Sequence, residues 1–173
     1  MKDYVVLVNE KKEIIGTMEK LKAHSDKTPL HLAFSVFLFN NKKEFLLQQR
    51  ALHKKTWPGV WTNSVCGHLR LKETPLAAAK RRLKYELGLT KVKIKMALPD
   101  YRYKAEKDGI VENEICPVLI GYSDETPKIN KDEVEAIRWI PWKEWLKEIK
   151  KNPKNYSPWC VEETLLLVKN KKL

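Results

Sequence analysis

Apolar residues along this chain fall in short β-branched and aromatic runs cut by polar turns, with a helical period only in three places. Residues 4–8 and 14–18 read as strands separated by the polar turn NEKKE. Residues 19–23 predict a single helical turn ending at His24. Residues 31–39 (HLAFSVFLF) form a long β-type run. NNKK at 40–43 is turn chemistry, which makes 45–49 the hairpin partner of that run. A loop with Pro58 and Gly59 leads to a short strand carrying Cys66. The clearest helix is 75–87: Thr74 stands at its N-cap, Pro75 at the first helical position and Gly88 at its stop. Strands are predicted again at 92–98, 101–105, 115–122 and 136–140, and helices at 142–150 and 158–169. Strands with interspersed helices, and no regular βαβ repeat, predict an α+β fold: a mixed β-sheet flanked by helices.

Length and composition narrow the picture. A chain of 173 residues predicts a single domain, 1–173, that buries roughly 70% of its extended surface. No apolar run approaches the roughly 20 residues of a membrane helix. The opening MKDYVVLVNE is too short and too charged for a signal peptide. Three cysteines, an odd number without close spacing, argue against a disulfide framework and for a reducing, cytoplasmic setting. Lys and Arg number 34 against 22 acidic residues, a net charge of +12. Most of the excess is lysine scattered over solvated helix faces, so no nucleic-acid partner is expected. Arg50, His53, Lys54, Lys55, Arg81 and Arg82 crowd near the cysteine loop and its helix. They predict a local trap for a phosphate-bearing ligand.

Two runs carry the chemistry. TWPGVWTNSVCGH, residues 56–68, sets Cys66 two residues before His68, behind Trp57 and Trp61. VENEICP, residues 111–117, puts Glu112 and Glu114 at alternate positions of an extended strand, where both face one side. With His24, His31 and His68 they would form a nitrogen- and oxygen-rich site for a divalent ion such as Zn, Mn or Mg. Cys116 is the rival thiol, but Pro117 and the apolar strand after it assign it to the core. Cys160 reads as packing, His53 as a loop residue, and Trp139, Trp142 and Trp145 as packing where a strand meets a helix.

Residues 67–89, GHLRLKETPLAAAKRRLKYELGL, resemble part of the Nudix signature. Glu73, Arg81, Glu86, Gly88 and Leu89 are in register, while Arg82 and Tyr85 stand where glutamates are expected. An arginine within that set repels a cation, so the match predicts the fold and not the hydrolysis. TNSVCGH, RRLKYELG, YRY, VENEICPV and YSPW together resemble type I isopentenyl-diphosphate isomerases over nearly the whole chain.

That resemblance implies conversion of isopentenyl diphosphate to dimethylallyl diphosphate through a tertiary carbocation. It implies Cys66 and Glu114 as the proton-transfer groups on opposite faces of the substrate. Tyr103 would hydrogen-bond to Glu114, and Trp159 would face the cation. It implies a cage of His24, His31, His68, Glu112 and Glu114 for Mn2+, Zn2+ or Mg2+. A second ion, Mg2+, would bridge the diphosphate, held by Glu86 and the backbone of Cys66. Lys20, Arg50, Lys54 and Arg82 would grip the diphosphate, and Trp61 would help to exclude water. The partner implied is a small-molecule diphosphate, with no membrane or nucleic acid, in a monomer or homodimer. The rival reading is a Nudix hydrolase of nucleoside diphosphates.

Overall fold

The computed structural model describes residues 3–173. Its strands are β1 (Tyr4–Val8), β2 (Ile14–Glu19), β3 (His31–Phe39), β4 (Glu44–Arg50), β5 (Trp61–Thr62), β6 (Val65–His68), β7 (Lys93–Leu98), β8 (Arg102–Lys107), β9 (Ile110–Ile115), β10 (Val118–Tyr122) and β11 (Val134–Pro141). Its helices are α1 (Lys20–Ala23), α2 (Pro75–Leu87), α3 (Trp142–Lys151) and α4 (Pro158–Lys169), with a 3-10 turn at Pro153–Asn155. The strands form one mixed sheet: β3 pairs in parallel with β9 and β10, and antiparallel with β1, β4 and β6. The expected mixed sheet flanked by helices is what the chain builds.

β3 explains the layering. Its side chains alternate between the two faces of the sheet. Ala33, Phe37 and Phe39 join Phe45, Trp145, Ile149, Cys160 and Leu167 in a core under α3 and α4. Phe34, Val36 and Leu38 join Leu83, Leu87, Leu119 and Val134 in a second core under α2. α2 begins and ends where its sequence says. The Thr74 hydroxyl accepts from the Ala77 amide, Pro75 opens the first turn, and Gly88 closes the helix at φ 68°. A side chain there would be strained by the left-handed backbone and would press Lys128 at 3.2 Å. Trp142 and Trp145 pack at the β11–α3 junction as expected, whereas Trp139 turns to the α2 side.

Two expectations are corrected. The run 115–122 is not one strand. Pro117 has no amide hydrogen to give to a ladder, so the chain breaks after β9 and re-pairs as β10. The seam is closed by Cys116 N to Tyr101 O at 2.9 Å and Ser35 N to Pro117 O at 3.1 Å. Nor are β3 and β4 a simple hairpin. They meet at Phe39 and Phe45 beside the turn and then part. The segment 61–68 enters between them, with β5 on β4 and β6 on β3, while β4 finds its long ladder with β11.

Candidate active site and metal centre

The wedge between β3 and β4 is held by Thr62, Asn63 and Ser64, all fully buried. The Ser64 hydroxyl accepts from Leu38 N at 2.8 Å and donates to Leu46 O at 2.6 Å, bridging the parted strands. The Asn63 amide donates to Val36 O and Val65 O. Thr62 shares a hydroxyl hydrogen bond of 2.7 Å with Ser157. Ser157 is also the N-cap of α4. One polar triplet thus fixes the height of Cys66 and the start of the helix that carries Trp159.

The five cage residues come from four places in the chain. Register brings them together: His31 pairs with Glu114 across β3 and β9, and Ala33 with His68 across β3 and β6. His24 follows α1. Ligand atoms of all five lie within 4.8 Å of one another. The three imidazole rings stand 4.9 to 5.2 Å apart. Nδ1 of His24 donates to Lys20 O at 2.7 Å, and Nδ1 of His31 to Pro29 O at 2.9 Å. A carbonyl only accepts, so each Nδ1 carries the hydrogen and each Nε2 presents a lone pair to the centre. Nε2 of His24 faces Glu112 Oε2 at 3.0 Å and Nε2 of His31 faces Glu114 Oε1 at 3.4 Å, but with each ring hydrogen on Nδ1 these buried contacts set lone pair against lone pair. Buried orphan lone pairs aimed at one point are what a divalent cation satisfies. These residues could hold a metal ion.

Electrostatics agree with that donor set at Glu114 and His68, while at His24 the Glu112 carboxylate favours the proton that a bound ion would displace. Burial pushes the Glu114 carboxyl up, but His31 and His68 outweigh it and hold it well below the usual carboxylate range. Burial dominates at His68 and drives its imidazole well below its ordinary value, towards the neutral form that ligates. Burial also lowers His24, but there the Glu112 carboxylate wins and raises it.

A cavity of about 620 Å³ opens beside the cage. Cys66, His68, Tyr103, Glu112, Glu114 and Trp159 line it; His24 and His31 lie behind this wall. Burial pushes the Cys66 thiol up to about 12, so it stays protonated at neutral pH. Trp159 is 3% exposed and meets Trp57 edge-on at 4.9 Å and Tyr103 at 5.4 Å. Trp57 takes φ 52°, a left-handed backbone rare for a bulky residue. Arg50 holds that loop through the carbonyls of Thr56 and Trp57.

Lys20, Arg50, Lys54 and Arg82 line the same cavity. Burial first, and then the charges of Lys54, Arg50 and Arg82, depress Lys20. Four cations held this close call for an anion of high charge. Glu86 stands among them, 2% exposed, bonded to Arg82 Nε at 2.8 Å and Gln48 Nε2 at 2.9 Å.

The expected proton-transfer, cage and diphosphate-gripping residues line this cavity or back its wall, whereas His53 and Lys55 of the expected phosphate trap do not line it. Three details differ. No hydrogen bond joins Tyr103 to Glu114 among the described residues; they are cross-strand partners on β8 and β9. Trp61 faces a separate groove with Arg138 and Tyr156, and it is Trp57 that packs edge-on against Trp159. Arg81 is spent on Glu73 and on His68 O, and His53 turns to Asp132 O. Cys116 is buried against the Ser35 hydroxyl, as its core assignment requires. Gln48 and Glu133 line the cavity without having been foreseen. Glu133 sits in a lysine-rich run that gives no sign of its depth, and Gln48 in a strand whose neighbours are core.

Comparison with known proteins gives three findings. The NUDIX domain model matches residues 29–160. An isopentenyl-diphosphate Delta-isomerase of Saccharopolyspora erythraea is 44% identical over 167 residues, covering 96% of this chain and 86% of that protein. One of Escherichia coli is 46% identical over 160 residues, covering 92% and 88%. Among solved structures, a Deinococcus radiodurans protein (TM-score 0.67, 19% identity, 86% of this chain and 90% of that one) shares the fold. A MutT protein of Methanosarcina mazei does so too (TM-score 0.67, 18% identity, 84% and 97%).

Proposed function

The chain belongs to the NUDIX family and, within it, to the isopentenyl-diphosphate Delta-isomerases, and from that premise we propose how its residues divide the work. The reaction moves the terminal double bond of isopentenyl diphosphate inward to give dimethylallyl diphosphate. A proton is added to the terminal carbon, leaving a tertiary cation. A second proton leaves the carbon nearer the diphosphate, and its bonding pair becomes the new double bond.

Cys66 and Glu114 exchange these two protons with the substrate. The observation that carries this reading is their place in one cavity, with a thiol kept protonated and a carboxyl kept ionised by their surroundings. Burial pushes the Tyr103 phenol well above its ordinary value, so it remains a hydrogen-bond donor beside Glu114. Trp159 turns an electron-rich indole towards the tertiary cation, a contact worth about 2 kcal/mol when desolvated. Trp57 backs it and keeps water from quenching the cation. Lys20, Arg50, Lys54 and Arg82 hold the diphosphate.

His24, His31, His68, Glu112 and Glu114 hold one divalent ion, Mn2+, Zn2+ or Mg2+; Glu86 and the backbone of Cys66 hold Mg2+ with the diphosphate. Bound there, such ions supply positive charge that orients Glu114 and offsets the diphosphate. No helix among the described residues is long and apolar enough to cross a membrane. The protein acts in the cytoplasm as one domain, a monomer or homodimer, on a small diphosphate and not on nucleic acid.

Turnover by purified variants tests the division of labour. Cys66→Ala and Glu114→Gln should each lower kcat by at least about a thousandfold, as loss of a proton-transfer group does, with the fold intact by circular dichroism and cage metal content measured alongside for Glu114→Gln. Near-normal turnover in either variant removes that residue from the chemistry.

A further inference from the structure

Two carboxylates stand among the cations of the diphosphate end. Glu133, the residue before β11, receives Lys54 Nζ at 2.5 Å and Arg82 Nη2 at 3.0 Å, both on Oε2. No hydrogen bond to its Oε1 occurs among the described residues. Arg82 turns its Nε to Glu86 Oε1 at 2.8 Å. One guanidinium therefore spans both carboxylates and sets them side by side.

Gln48 adds an independent sign. It is 3% exposed and lines the cavity. Its Nε2 donates to Glu86 Oε2 at 2.9 Å. A carboxylate only accepts, so the amide cannot face the other way. Its carbonyl Oε1 is then left buried without a donor. A role for Glu133 as mere counter-ion of Lys54 and Arg82 accounts for the ion pairs. It leaves the Gln48 oxygen unexplained. Gln48, Glu86 and Glu133 all line the cavity, and two carboxylates with an amide carbonyl are hard oxygen donors, the set that suits Mg2+ or Mn2+.

We propose that Glu133 shares with Glu86 the seat of the divalent ion that accompanies the diphosphate, with Gln48 clamping Glu86 and offering the third oxygen. This rests on the reading that Glu86 holds that ion. It gives Glu133 two opposite effects. With the ion present, its carboxylate attracts. Without the ion, it competes with the diphosphate for Lys54 and Arg82. Glu133 thereby sets a preference for a metal-complexed diphosphate over a free one.

The test uses the whole protein with its histidine cage filled by zinc and inorganic pyrophosphate as probe. Free Mn2+ is counted by electron paramagnetic resonance, and pyrophosphate binding without Mn2+ by calorimetry. Glu133→Gln should weaken the pyrophosphate-dependent Mn2+ at least tenfold, yet tighten pyrophosphate alone, with cage zinc and melting unchanged. Loss of a counter-ion alone would also favour the anion over the cation, so Glu133→Asp separates the two. It keeps the charge but withdraws the carboxylate, and should weaken Mn2+ while leaving pyrophosphate alone unchanged; wild-type Mn2+ binding in Glu133→Asp overturns ligation by Glu133. Gln48→Met should weaken Mn2+ and leave pyrophosphate alone unchanged; wild-type Mn2+ binding there overturns the role of Gln48. If E86Q weakens Mn2+ and E133Q does not, the role of Glu133 is overturned while that of Glu86 stands. Wild-type Mn2+ binding in both overturns both.

Discussion

Glu163, on α4, is fully buried, and neither of its carboxyl oxygens has a hydrogen-bond partner. Burial raises its pKa far above the usual carboxylate range. The nearby Ser35 hydroxyl favours the charged form, but Glu114 and Glu162 add like-charge repulsion. The neutral form is therefore favoured in the folded protein. In the unfolded chain it ionises near its reference value of about 4.3. Between the two pKa values the folded state holds one proton that the unfolded state has lost. Stability contributed by Glu163 is thus complete at low pH and falls as pH rises, by up to about 1.4 kcal/mol per pH unit. Glu163→Gln has nearly the same shape and cannot ionise. Relative to the native protein it should gain up to about 1.4 kcal/mol per pH unit wherever the folded group still holds its proton and the unfolded one does not. At about 2–4 °C per kcal/mol for a chain of this size, the melting-temperature difference should widen by up to about 3–6 °C per pH unit. Urea denaturation of both proteins at pH 5, 6 and 7, with equal metal content, measures this, because pH effects shared with the cage cancel in the difference. A difference that stays constant across that range would mean that Glu163 titrates normally, and the reasoning fails.

Other consequences are as concrete. Trp159→Leu should lower kcat about thirtyfold, the equivalent of about 2 kcal/mol of lost cation–π attraction, while Trp159→Phe retains most of it; wild-type turnover in the leucine variant contradicts the role. Ser64→Ala strands the Leu38 amide and the Leu46 carbonyl and should cost about 2–6 kcal/mol in urea denaturation; a loss under about 1 kcal/mol denies that its hydroxyl bridges the parted strands. Exhaustive chelation should abolish turnover, and Mg2+ with a trace of Zn2+ or Mn2+ should restore it; full activity in the chelated protein rules out the cage's role.

What could be read along the chain was what depends on neighbours in sequence. Thr74, Pro75 and Gly88 bound α2 to the residue, and the alternation of Glu112 and Glu114 aims both at one centre. The cations and histidines were legible as residue types suited to a diphosphate and a divalent ion. What escaped depends on partners distant in sequence. Segment 61–68 parts β3 from β4 because Thr62, Asn63 and Ser64 satisfy the backbone groups so exposed, and no local pattern encodes that insertion. Pro117 does mark a break, but only the register against Ser35 shows the chain re-pairing beyond it. Trp57, not Trp61, backs Trp159, from a left-handed backbone that a non-glycine residue does not advertise. Glu133 and Gln48 come to line the cavity only once the fold sets them against Arg82 and Glu86 of α2.

Proton NMR of isopentenyl diphosphate incubated with the protein in deuterated water asks whether two protein groups in exchange with solvent move the protons. Dimethylallyl diphosphate should form with deuterium in the new methyl group, and Cys66→Ala and Glu114→Gln should leave the substrate unchanged over the same interval. Product formed at the native rate by either variant, or product whose new methyl carries no deuterium, would contradict proton transfer through Cys66 and Glu114.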